Sequence, residues 1–137
     1  MKAYTIIIVE NDEDEQFFIR ESIEATDLFT ILAQVNEGNE LLEWLEDHQT
    51  TLPDLILSDL NMPGKNGYDV IVELKSNPAY LHIPIIITST SSTKSTIDKC
   101  LALGANGFIE KPDTFVDYVP FLKRLHQLIE EKQWVKE

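Results

Sequence analysis

IIIVENDEDE, residues 6–15, joins four consecutive aliphatic side chains, Ile6 to Val9, to six residues that are acidic or amide. An apolar run without alternation is the pattern of a strand covered on both faces, as in a parallel sheet; a strand with one wet face alternates. The acids that follow repel one another, so their gathering at the carboxyl end of the strand has to be explained by what they hold.

Reading outward, the apolar run at 5–9 is followed by four more rich in Ile, Leu and Val, at 30–35, 55–58, 83–88 and 107–109. Between and after them apolar residues recur at helical spacing: Leu41, Leu42 and Leu45; Val70, Ile71 and Leu74; Ile97 and Leu101; Phe121, Leu122, Leu125, Leu128 and Ile129. Gly104 suits a helix C-terminus turning into the fifth strand, and Pro120 suits the opening of the final helix. Five strand-then-helix units with short connections predict an α/β fold: one parallel sheet, right-handed crossovers and helices on both faces. No repeat or linker interrupts residues 1–137, so a single domain without an attached effector domain is expected.

Composition narrows the function. Twenty-four Asp and Glu against eleven Lys and Arg give a net charge of -13, which repels nucleic-acid phosphates and anionic membrane surfaces. No run approaches the roughly 20 apolar residues of a membrane span, and an acid arrives too early for a signal peptide, so a cytoplasmic protein is expected. The lone Cys100 lies in a helical pattern and reads as a small buried side chain. His48, His82 and His126 share no ligand spacing and read as surface residues.

Ligands of such a sheet bind beyond the carboxyl ends of its strands. Glu10, Asn11 and Asp12 stand there after the first strand, Asp59 after the third, Ser89 at the end of the fourth and Lys111 after the fifth. Asp59 emerges from a buried strand into NMPGKNG, residues 61–67, where Pro63, Gly64 and Gly67 enforce a bend. A carboxylate there can act as a nucleophile toward phosphorus, provided a cation bridges the approaching negative charges. Oxygen-only ligands with neither His nor Cys nearby favour Mg2+, Mn2+ or Ca2+ over zinc. The same acids also favour a helix N-terminus through its dipole, and for Glu13, Asp14 and Glu15 that reading suffices.

VEN at 9–11, SDLNMPG at 58–64, PIIITST at 84–90 and GANGFIEKP at 104–112 together resemble the response-regulator receiver domain of bacterial two-component signalling, over nearly the whole chain. The resemblance implies a flavodoxin-like doubly wound (βα)5 fold with strand order 2-1-3-4-5, and a stand-alone, chemotaxis-regulator-like protein. It implies that Asp59 is the phosphoacceptor, charged by a histidine kinase or histidine phosphotransfer protein, and that Lys111 pairs with the phosphoryl oxygens. Ser89 is then the switch hydroxyl and Phe108 the switch aromatic, while Glu10, Asn11, Asp59 and the backbone carbonyl of Asn61 form the Mg2+ site, with Asp12 a further candidate. It also implies a cis Lys111–Pro112 bond. Such a module is a signalling phosphoacceptor and not an enzyme, beyond self-phosphorylation from small donors and self-dephosphorylation, and its output is a contact with a target protein.

The sequence departs from the family at one position. Where two adjacent acids are expected, Glu10 is followed by Asn11; losing one charge about 4 Å from the ion costs at most roughly 4 kcal/mol at an effective dielectric of 20. A phosphorylation-independent pseudo-receiver is therefore the alternative function. A flavodoxin-like electron carrier would need a glycine- and hydroxyl-rich loop where ENDEDE stands, and an aspartate-nucleophile phosphatase would need an acid where Asn61 stands.

Overall fold

A computed structural model describes residues 3–90, 92–112 and 118–135. The elements follow the expected alternation: β1 (Tyr4–Val9), α1 (Glu13–Glu24), β2 (Phe29–Val35), α2 (Gly38–Asp47), β3 (Leu55–Asp59), α3 (Gly67–Lys75), β4 (Ile85–Ser89), α4 (Lys94–Leu103), β5 (Gly107–Glu110) and α5 (Val119–Lys132). The strands form one parallel sheet in the order β2-β1-β3-β4-β5, a flavodoxin-like doubly wound arrangement.

The uninterrupted apolar runs are explained by two cores, one on each face of the sheet. Ile7, Val9, Ile56, Ile85 and Ile87 point toward Leu41, Leu45, Val70, Ile71, Leu74 and Cys100 of α2, α3 and α4. Their strand neighbours Ile6, Ile8, Leu55, Leu57 and Ile86 pack with Ile19, Ile23, Phe121, Leu122, Leu125 and Ile129 of α1 and α5. Successive residues thus alternate in direction and are apolar either way. Cys100 is fully buried, as read from the sequence.

The expectations for His126 and for the start of β4 change. His126, read as a surface residue, is 4 % exposed and its ring packs on Tyr4 and Phe29 at 5.3 and 5.8 Å between centroids; it falls on the buried stripe of α5, which the spacing from Leu122 and Leu125 already marks. β4 begins at Ile85 and not at residue 83, because Ile83 donates its N–H to Tyr80 in the preceding turn. That register makes Ser89 the last residue of β4, opposite Glu110.

Local devices aim the strand ends. Gly67 opens α3 instead of bending the loop: its N–H donates to Leu60 O at 2.8 Å, and a Cβ there would lie 2.9 Å from Leu60 Cα and 3.1 Å from Asp59 O. Only glycine lets α3 start directly against the end of β3. Asn66 and Asp69 close a reciprocal capping box on the same helix. Gly104, at φ +118, ends α4 in the left-handed conformation and delivers the chain into β5. Thr93 caps α4 through its side-chain oxygen, which accepts the Thr96 N–H at 3.3 Å.

Candidate functional site

Glu10, Asp59, Ser89 and Lys111 lie at four strand ends on one edge of the sheet, and the structure draws three of them into contact. The Lys111 side chain is 7 % exposed, and its Nζ lies 2.8 Å from Glu10 Oε1 and 3.2 Å from Asp59 Oδ1. A third carboxylate joins them: Glu15 Oε2 is 2.9 Å from the same ammonium. Lys111 is fixed from behind by its backbone N–H, which donates to Ser89 O at 2.9 Å. Ser89 is buried beside this junction, and Phe108, on β5, is half-buried against the α2–α4 core.

The acids after Val9 divide into separate tasks. Glu10 uses Oε1 for Lys111 and accepts the Asp12 N–H on Oε2 at 2.9 Å. Asp12 is exposed and caps α1, accepting the N–H groups of Asp14 and Glu15 at 2.8 and 3.1 Å. The structure does not bring it into the cluster. Asn11 is exposed, next to Glu10 in the chain, and Asn61 is exposed two residues beyond Asp59. Glu13 and Asp14 are exposed first-turn residues, as the dipole reading has it.

Glu15 does not follow that reading. It is 7 % exposed and accepts the Tyr118 Oη–H at 3.0 Å on the oxygen that faces Lys111. The signal was available in part: three residues beyond the cap Asp12, position 15 turns toward the sheet, as Ile19 and Ile23 do on the same stripe. Tyr118 could not be assigned to the site from spacing, because its place depends on the path of the chain after β5. The Lys111–Pro112 bond, cis by the family resemblance, is trans: no cis peptide occurs among the described residues. Trans is the lower form of an X–Pro bond by about 0.5–1 kcal/mol unless contacts select the other.

Three carboxylates share one ammonium, a formal charge of -2 in a largely buried pocket. Burial and the hydrogen bond to Glu15 push the Glu10 carboxyl up to about 7, against the lowering pull of Lys111. Burial also raises Asp59, again opposed by Lys111. Burial alone would lower Lys111, but its hydrogen bonds to Glu10 and Glu15 outweigh that and raise it.

These shifts set a pH dependence. A carboxyl raised from 4.5 to about 7 holds its proton in the fold where the unfolded chain has lost it. Its stabilising contribution is complete below pH 4.5 and is lost as pH rises through 7; Asp59 acts in the same direction. The metal-free protein is expected to lose about 3 kcal/mol of unfolding free energy from this source between those limits. Urea titrations at pH 5 and pH 8 measure it, and equal or greater stability at pH 8 would refute the account.

The donor set fits a hard divalent cation. All candidate ligands are oxygens, the pocket carries excess negative charge, and no described His or Cys approaches it. Among the described residues no group of three His, Cys, Asp or Glu side chains is placed to hold a metal ion; Mg2+ keeps several waters and takes one or two carboxylates.

The fold is a doubly wound α/β module with a lysine-bridged acidic pocket at the carboxyl edge of its sheet. The family description "Response regulator receiver domain" matches residues 6–120, and the chain belongs to that family. It is 31% identical over 130 residues to a probable C4-dicarboxylate response regulator, DctR, of Priestia megaterium, covering 95% of this chain and 52% of that protein. The chain thus spans about half the length of that relative. It superposes on the crystal structure of the phosphorylated cyanobacterial phytochrome response regulator RcpA with a TM-score of 0.83 and 26% identity, covering 99% of this chain and 100% of that one. The signal receiver domain of a histidine kinase from Syntrophus aciditrophicus gives a TM-score of 0.71 at 31% identity, with 93% of each chain covered. Receiver domains are signalling phosphoacceptors, not conventional enzymes, and work with histidine kinases or phosphotransfer proteins in two-component systems. No described helix is long and apolar enough to cross a membrane.

Proposed function

We propose that this receiver takes a phosphoryl group onto Asp59 from the phosphohistidine of a kinase or phosphotransfer protein in the cytoplasm, and signals by a changed contact with a protein target. An Asp59 carboxylate oxygen attacks phosphorus, the phosphorus–nitrogen bond breaks with its electron pair leaving on the histidine, and an aspartyl phosphate results. Water later cleaves it and restores the carboxylate. The observation that carries the reading is the placement of Lys111 Nζ 3.2 Å from Asp59 Oδ1 in a pocket with a formal charge of -2. A nucleophile beside a fixed ammonium is arranged for a reaction whose transition state spreads negative charge over phosphoryl oxygens. The phosphorylated state of RcpA supports it.

Asp59, the Asn11 amide and the Asn61 carbonyl would hold Mg2+, with Glu10 acting through a water. The ion would supply charge neutralisation between carboxylate and phosphoryl oxygens. Ser89 at the end of β4 turns its hydroxyl toward the phosphoryl group, and half-buried Phe108 shifts with it, a change of population between two packings of the β4–β5 edge. The charge of -13 disfavours direct nucleic-acid contact as the output. Incubation with acetyl phosphate and Mg2+ is expected to add one phosphoryl group by intact mass. No adduct under saturating donor and cation would sink the reading.

The second reading, a pseudo-receiver indifferent to phosphate, is favoured by Asn11 alone. Asn11→Asp is expected to raise Mg2+ affinity about tenfold, well inside the upper bound set by one charge at about 4 Å. Titration calorimetry reads the affinity. A strong gain joined to an adduct that only the variant acquires would move the pseudo-receiver reading ahead.

A further inference from the structure

We propose that Glu15 is a positioning residue for Lys111: it draws the ammonium toward α1 and away from Asp59, with Tyr118 setting how strongly it pulls. Glu15 Oε2 is shared by two donors, Lys111 Nζ at 2.9 Å and Tyr118 Oη at 3.0 Å. Of the three carboxylates around the ammonium, Asp59 stands farthest, at 3.2 Å. The Tyr118 hydroxyl is itself fixed: the residue is buried, its N–H donates to Ser22 Oγ on α1 at 3.0 Å, and its ring meets Phe121 edge-on at 5.3 Å. A rigid neutral donor on the same oxygen weakens that oxygen's hold on Lys111 without removing it. Burying a third carboxylate here costs desolvation that a neutral side chain would avoid, so its charge has to act on something, and the group it touches is the phosphoryl-pairing lysine.

The proposal rests on the phosphoacceptor reading and deepens it. For Lys111 to serve a phosphoryl group on Asp59 it must share itself away from Glu15, whose negative charge also opposes the incoming group. Glu15 therefore restrains phosphorylation, while adding charge that favours the cation. Tyr118 acts through Glu15: without its hydroxyl, Oε2 turns wholly to Lys111 and the restraint tightens.

The test uses Glu15→Gln, which keeps the shape and an acceptor for Tyr118, and Tyr118→Phe. At saturating Mg2+ and fixed acetyl phosphate, Glu15→Gln is expected to raise the rate of adduct formation about fivefold, and Tyr118→Phe to lower it about threefold, the scale of one charge or one hydrogen bond in a partly shielded pocket. The Mn2+ dissociation constant, read by electron paramagnetic resonance, should rise about fivefold in Glu15→Gln and stay unchanged in Tyr118→Phe. In the double variant the Tyr118 effect should vanish, because it acts through a charge no longer present. A merely structural pair would slow the reaction in both variants, or move neither. A Tyr118 effect that survives in the double variant overturns the proposal, as does a slower Glu15→Gln. Should the natural protein take no adduct while binding Mn2+, the Asp59 reading fails by itself; the Glu15 proposal then fails too if Glu15→Gln leaves Mn2+ affinity unchanged, and stands as a charge-positioning role if that affinity falls.

Discussion

Asp59→Asn is expected to remove the phosphoryl adduct completely and, at the same time, to make the metal-free fold more stable. The two outcomes have one cause. Asparagine preserves the shape at the end of β3 but offers no carboxylate to phosphorus, so no aspartyl phosphate can form at this position. Burial raises Asp59 above the ordinary carboxylate range even with Lys111 beside it, which means that the folded pocket disfavours its charge. Replacing that charge by a neutral amide leaves Lys111 with Glu10 at 2.8 Å and Glu15 at 2.9 Å, so the ammonium keeps its partners and repulsion falls. Intact mass and urea unfolding at pH 8 read the two effects. An adduct persisting in the variant would move the acceptor elsewhere, and a loss of stability would show that Asp59 is held for the fold and not against it.

How much of this could be read in the sequence depends on how local the cause is. The strand runs and helical stripes are local, and they placed the five strands and α2 to α5, with α1 following only from the strand-then-helix alternation; the two-faced burial of Ile6 to Val9 follows from sequence because side chains alternate while both cores are apolar. Asp59, Ser89 and Lys111 were legible because each stands at or just past the carboxyl end of a strand, and strand ends share an edge whatever the loops do. The acids after Val9 were harder. A cap and a buried ligand differ by three positions on one helical turn, so Asp12 and Glu15 exchange the tasks that proximity to the strand assigned them: the nearer acid caps α1, and the farther one turns inward. Tyr118 belongs to the site only because α5 returns beside α1, a tertiary fact with no local signature. His126 illustrates the same limit from the other side, since a histidine's type says surface and its place on the stripe of α5 says core.

Lys111→Met is expected to have the opposite effect on stability from Asp59→Asn and an effect on function in the same direction, short of complete loss. Methionine fills the aliphatic path of the lysine but leaves Glu10, Glu15 and Asp59 together with no cation. Breaking a buried pair by deleting one partner typically costs about 3–5 kcal/mol, because the remaining charge is stranded. That loss should be large at pH 8 and much smaller at pH 5, where Glu10, already pushed up to about 7 with Lys111 present, is protonated and the stranded charge is relieved. Removing the ammonium also removes the group that would neutralise phosphoryl oxygens, so adduct formation at saturating Mg2+ should fall about hundredfold, the usual size of one charged transition-state contact. The comparison of the two variants is what gives the experiment its force: both silence the site, one by removing a charge the pocket resists and the other by removing the charge the pocket is built around. If Lys111→Met were as stable as the natural protein at pH 8, the three carboxylates would have to be relieved by something other than this lysine, and the electrostatic account of the pocket would fail with it.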